Sequence, residues 1–212
     1  MVQSWTLLNV DKRQTSGQIG KLGEFWASGT DRELLYRLLV PVTDLSTESI
    51  GAGISGWAGD RILCVGDNNE DVPDNLLTQA EQDALGGDPL QDYAEGNYQF
   101  VLNVVVDAEE KQAAYPVGKT WVLRNLSKMV YVRLDVLDQA NCGGVEQVLL
   151  CFICWSSDPS CGIEFFEPRG EWAGDRFDIN LVEVVEGGDE MWTDVTQNAI
   201  DIVQPFWNQY TL

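Results

Sequence analysis

Hydrophobic residues alternate with polar ones, or run together, over seven stretches that read as β-strands: Trp5–Val10, Arg61–Val65, Tyr98–Val106, Thr120–Leu126, Met129–Leu134, Gln147–Trp155 and Phe177–Val185. In the last of these, Phe177, Ile179, Leu181 and Val185 share one face, with Glu183 intruding. Helical spacing is rarer. Thr30-Asp31-Arg32-Glu33 is a capping box, in which threonine and glutamate each satisfy an orphan backbone donor of the first turn. Leu34, Leu35, Leu38 and Leu39 then form an apolar face, and Pro41 ends the helix. Thr78–Glu81 repeats the box, with Gly86 and Gly87 closing a short helix. Thr193 is placed to cap a third, in which Val195, Ala199, Ile202 and Val203 recur before Pro205. Long strands with about three short helices predict an α+β fold with mainly antiparallel sheet rather than a doubly wound one.

Two patterns recur. Trp-Ala-Gly-Asp-Arg occupies Trp57–Arg61 and again Trp172–Arg176, an offset of 115. A looser pattern joins Trp5, Leu7, Asn9, Val10 and Lys12 to Trp121, Leu123, Asn125, Leu126 and Lys128, an offset of 116. Two coincidences at nearly one spacing predict an internal duplication with pseudo-twofold symmetry. One module covers residues 1–107 and the other 119–212, packed as a single compact domain, with the polar stretch Asp107–Lys119 as the joint.

The opening NVDKRQ and GKLGEF, the later NLSKMVYVR and the two WAGDR segments resemble an uncharacterised family of fungal and bacterial proteins. Its members carry an N-terminal N-[LV]-D-K-[KR] motif, a second N-x-[ST]-K motif and WAGDR-type segments. The resemblance implies no activity and supplies no catalytic residues. The segments STESIGAGISG and SSDPSCGIEFFEPRG stand where some relatives carry glycine-rich, Asp-containing stretches.

Charge and composition narrow the function classes. Thirteen basic residues against 34 acidic ones leave a net charge of −21, which repels phosphate backbones and anionic membranes. Neither nucleic acid nor membrane is expected as a partner. Histidine is absent, so the chain holds no histidine-based catalytic triad and no imidazole metal ligand. The N-terminal residues lack the basic and apolar regions of a signal peptide, and the longest apolar run, roughly Val148–Trp155, is far too short to span a bilayer. A cytoplasmic location is the expectation. The five cysteines are odd in number. Cys151 and Cys154 form a CxxC, but on the expected strand they point to opposite faces. A four-thiolate site adding Cys142 and Cys161 requires a loop there instead.

The candidate site follows from the repeats. Trp57, Asp60 and Arg61, their counterparts Trp172, Asp175 and Arg176, and the pairs Asn9 with Lys12 and Asn125 with Lys128 could line equivalent clefts. An indole face, a bidentate acceptor and paired amide and cationic donors suit a small polar or carbohydrate-like ligand. The same residues also suit turns, with Asp accepting backbone N–H groups and Trp anchoring the corner. Read as an enzyme, the chain would use Asp60 and Asp175 as acid–base or metal-ligating carboxylates, with Arg61 and Arg176 stabilising charge, as a carboxylate-dependent hydrolase does. Between Arg61 and Lys111 there are twelve acids and no basic residue. Asp67, Asn69 and Asp71 match the first ligand positions of a calcium loop, but Val72 replaces its glycine and Thr78 its glutamate. That leaves Ca2+ at an irregular site as the one cofactor to consider, and no other is expected.

Of eight tryptophans, Trp5, Trp57, Trp121 and Trp172 belong to the repeats and are assigned to the core. Trp26, Trp155, Trp192 and Trp207 do not, and Trp192 and Trp207 flank the last helix as a potential ligand platform. Three readings result: a non-catalytic binding protein for a small polar ligand, an acidic interaction or inhibitor protein for a basic protein partner, and the carboxylate-dependent hydrolase.

Overall fold

Trp5–Asn9 and Ile62–Gly66 are buried at every position, so these strands need apolar side chains on both faces rather than on alternate ones. A computed structural model describes residues 4–18, 20–21, 35, 39, 56–67, 69, 71–74, 76–100, 118–140, 142, 144–157 and 169–210. The capping box at Thr30, most of the segments STESIGAGISG and SSDPSCGIEFFEPRG, the strand beyond Phe100, most of the 107–119 joint, Trp26 and Cys161 lie outside them.

In chain order the elements are β1 (Trp5–Asn9), β2 (Gln14–Gln18), β3 (Ile62–Gly66), α1 (Gln79–Leu85), α2 (Leu90–Asn97), β4 (Gln99–Phe100), β5 (Trp121–Asn125) and β6 (Val130–Arg133). Next come α3 (Leu134–Ala140), α4 (Val145–Ile153), β7 (Cys154–Trp155), β8 (Phe177–Leu181), α5 (Val182–Glu186), β9 (Thr193–Asp194) and α6 (Thr196–Tyr210). One sheet has the order β4-β2-β1-β3-β7 and the other β8-β5-β6-β9. The α+β class therefore holds, with two corrections. The sheets are mixed, because β2–β4, β3–β7 and β6–β9 pair in parallel. Their two-residue edge strands are reached by long crossovers that local alternation does not reveal. Six helices, not three, occur among the described residues.

Four of those helices, α2 to α5, lie where no helix is expected. The run through Val148–Ile153 is helical because α4 is buried all round, and a helix with no wet face has the same unbroken apolar run as a buried strand. β8 stops at Leu181, and the intruding Glu183 sits exposed on α5. Leu134, expected to end a strand, instead opens α3. Thr193 does not cap the last helix; it lies in β9, and Asp194 instead accepts from the Thr196 N–H at 2.8 Å.

The chain forms two compact units, each drawn from three separate stretches. The first comprises Met1–Ala27, Asp60–Leu102 and Leu149–Asp175, and the second Ser28–Gly59, Asn103–Val148 and Arg176–Leu212. In the first, Leu8, Val10, Leu63 and Val65 project from one face of the sheet onto Leu76, Leu77, Leu90 and Ala94. In the second, Val122 and Tyr131 meet Val182 and Val185, with Trp192 packed at the edge.

The central strands of the two sheets share a register. Asn9 lies opposite Ile62 and Gln14, while Asn125 lies opposite Phe177 and Val130. The tight turns between them carry left-handed residues at matching places, Arg13 (φ 52°) and Met129 (φ 56°).

Candidate functional site

Each Trp-Ala-Gly-Asp-Arg corner turns on a glycine with positive φ, 86° at Gly59 and 81° at Gly174. In the first unit, the Gly174 N–H donates to Ile62 O (2.9 Å) and the Ile62 N–H to Asp175 O (3.1 Å). In the second, the Gly59 N–H donates to Phe177 O (2.7 Å). The arginine backbone then joins the sheet: Val10 N donates to Arg61 O, and Leu126 N to Arg176 O. Each corner is thus tied into the end of a central strand by main-chain bonds.

The expected side chains do converge around Asp60. Its Oδ2 accepts from Asn9 Nδ2 (2.8 Å) and pairs with Lys12 Nζ (2.8 Å). The Asn9 Oδ1 accepts from the Lys12 N–H, closing the turn. Arg61 is held by the Asp11 carboxylate and by the Leu76 carbonyl. Around the second motif, Asn125 Oδ1 accepts from the N–H groups of Ser127 and Lys128, and the Arg176 N–H donates to Ser127 Oγ. Arg176 Nη1 donates to Gly59 O at 2.8 Å. Asp175 contributes its main-chain carbonyl, to Ile62 in the first unit.

The tryptophans do not present their faces. Trp57 is 0% exposed and Trp172 3%, the latter stacked on Phe152 with ring centroids 4.0 Å apart. Asn9 and Asn125 are likewise buried. The Trp57 and Trp172 rings are thus covered, while Asn9, Lys12 and Asp60 bond one another and the two arginines bond Asp11, Leu76 and Gly59.

The acidic stretch has its own order. Thr78 and Glu81 form the anticipated capping box, and Gly86, left-handed, closes α1. The Thr78 N–H and hydroxyl, donating to Glu81, hold its carboxyl below the usual carboxylate range. Asn69 Nδ2 donates to Asp71 O, and its Oδ1 accepts from the Ser157 N–H. Asp71 accepts from Trp155 Nε1 (3.0 Å) and pairs with Arg169 (2.7 Å), whose guanidinium lies 5.0 Å from the Trp155 ring centre. Asn69 and Asp71 are therefore engaged by protein groups, and among the described residues no group of three or more acidic or cysteine side chains is arranged to hold a metal ion.

Two groupings escape sequence reading. One is Asp71–Trp155–Arg169. The other is Arg124, bidentate to Asp178 (2.7 and 2.6 Å) with its guanidinium 4.9 Å from the ring centre of Trp192. Only strand pairing, Arg124 opposite Asp178, reveals the second. Trp192 is thus half-buried under an arginine, while nothing is described of the Trp207 side chain. Cys151 sits in α4 and Cys154 in β7, beside Cys64 on β3. Burial pushes both thiols up, and a hydrogen bond with Cys64 adds to this at Cys154, so both stay protonated at neutral pH.

No family model matches the chain, and no curated protein or solved structure is significantly similar to it. Among the described residues no helix is long and apolar enough to cross a membrane.

Proposed function

We propose that the chain is a soluble, cytoplasmic, internally duplicated acidic protein that binds a basic protein partner through the segment between β3 and β4. The charge of that segment carries the reading. Residues 62–100 contain no lysine or arginine, and Asp74, Asp83, Asp88 and Asp92 stand exposed on them. Carboxylates gathered on one compact unit attract a basic surface across about a Debye length, roughly 8 Å at physiological salt. They raise the rate of encounter and select against acidic partners.

The duplication is supported by equivalent bonds at the common offset, main-chain ones at both corners and backbone N–H to Asn Oδ1 at both turns. Against that background the described residues of the two halves differ clearly in one connection. β3 and β4 are separated by residues 67–98, β8 and β9 by only 182–192. Helices α1 and α2 are an addition carried by one half, and α1 buries none of its own residues. α2 and the residues before α1 cover the sheet, whereas α1, which buries none of its residues, leaves its surface for binding.

The small-ligand and hydrolase readings draw less support, since both rest on corners whose rings are covered and whose Asp60 carboxylate is already bonded to Asn9 and Lys12. The test is retention of basic proteins by the immobilised chain at low salt. Affinity of a retained partner should fall steeply with added salt and by about tenfold or more in Asp83→Lys/Asp92→Lys. Retention of no basic protein, or of one indifferent to the charge reversal, refutes the reading.

A further inference from the structure

The acidic addition forms a half-open cavity of about 170 Å3 within the first unit. Its polar wall is Asn69, Asp71, Gln82 and Asp88, and its apolar wall includes Val72 and Leu85. Pockets for drug-sized ligands run to roughly 300–1,000 Å3, so this one has room for a single side chain rather than a whole small molecule of that kind.

The wall's hydrogen-bonding capacity is unevenly spent. Asn69 is used on both its amide atoms, and Asp71 holds Trp155 and Arg169. Gln82 donates through Nε2 to Leu77 O, which leaves its carbonyl oxygen as an acceptor. No described residue forms an ion pair with the exposed Asp88 carboxylate. The open acceptors are therefore one carboxylate and one amide oxygen beside an apolar surface. A long aliphatic stem ending in a cation matches this combination, because the stem can cover Val72 and Leu85 while its head meets the carboxylate. The rim already seats such a group from the chain itself, the Arg169 guanidinium on Asp71 and Trp155.

We propose that this cavity receives one lysine or arginine side chain of the basic partner, with the head held by Asp88 and Gln82. The proposal rests on the reading of the acidic segment as the binding surface, and the two can fail separately. The isotope-labelled full chain is titrated at low salt with a hexalysine peptide. Amide shifts should concentrate at Gln82, Leu85, Gly87 and Asp88. Asp88→Asn should weaken binding about five- to tenfold, whereas Asp83→Asn, which removes the same charge outside the cavity, should cost no more than about twofold. Gln82→Arg, which supplies an internal guanidinium to an exposed position, should weaken binding at least as much as Asp88→Asn. If the peptide binds but all three variants lose affinity equally, or the shifts lie elsewhere, the cavity is overturned while the basic-partner reading stands. If the wild-type chain binds no hexalysine at low salt, both are overturned.

Discussion

Gly59 and Gly174 hold the same turn in different surroundings. A Cβ at Gly59 meets nothing within 4 Å, whereas one at Gly174 stands 2.6 Å from Leu76 Cδ1. Any L-residue at these φ values costs about 1–2 kcal/mol. Gly59→Ala should lose roughly that. Gly174→Ala should lose about 1–3 kcal/mol more, because Leu76 is buried and can give way only by disturbing its neighbours. Urea denaturation midpoints of the two variants check this, and equal losses would show that Leu76 moves freely. The asparagines make the companion point. Asn9 and Asn125 each close a turn through Oδ1, and Asn9 also donates through Nδ2 to Asp60. A motif with the composition of a ligand site thus holds the chain's own backbone.

At the scale of elements, the same sheet position carries opposite chemistry in the two units. Leu8 faces Leu63 under the helical cover of the first sheet, while Arg124 faces Asp178 in the second. The charged side chains are only 11% and 9% exposed, so each depends on the other. Asp178→Asn should destabilise by about 3–5 kcal/mol, since it strands a desolvated guanidinium. Arg124→Leu/Asp178→Leu should recover much of the loss, as the leucine pair in the first sheet suggests. Thermal unfolding of the three proteins decides it, and a double variant as unstable as the single one would contradict it.

The elements also show where sequence stops informing. The central strands β1, β3, β5 and β8 are legible from branched and aromatic residues, and α1 from its capping box. α4 is not, because a helix buried on every side has no period to detect. β2 escapes because Gln14–Gln18 is polar along its whole length and is a strand only through its partners. For the candidate site, the repeats do identify a cluster around Asp60. They do not disclose that its rings are covered, because one indole sequence serves a buried corner or an open platform equally. Asp71, Trp155 and Arg169 lie too far apart in sequence for any local pattern to join them.

Over the whole molecule, 34 acidic residues repel one another in the folded state more than in the extended one. The Debye length shrinks from about 30 Å at 0.01 M salt to about 10 Å at 0.1 M. Sodium chloride over that range should therefore raise the unfolding temperature by several degrees, as calorimetry can establish. No rise would mean that local pairs such as Lys12–Asp60 and Arg61–Asp11 already offset the repulsion.

The three-stretch make-up of the first unit has a consequence for biosynthesis. β1, β2 and β3 leave the ribosome early, yet β7 and the Trp172–Phe152 stack belong to the stretch Leu149–Asp175. The growing polypeptide must carry an open strand edge at β3 until residues 67–155 have followed. That interval, at roughly 5–20 residues per second, spans several seconds during which a nascent-chain chaperone has something to hold.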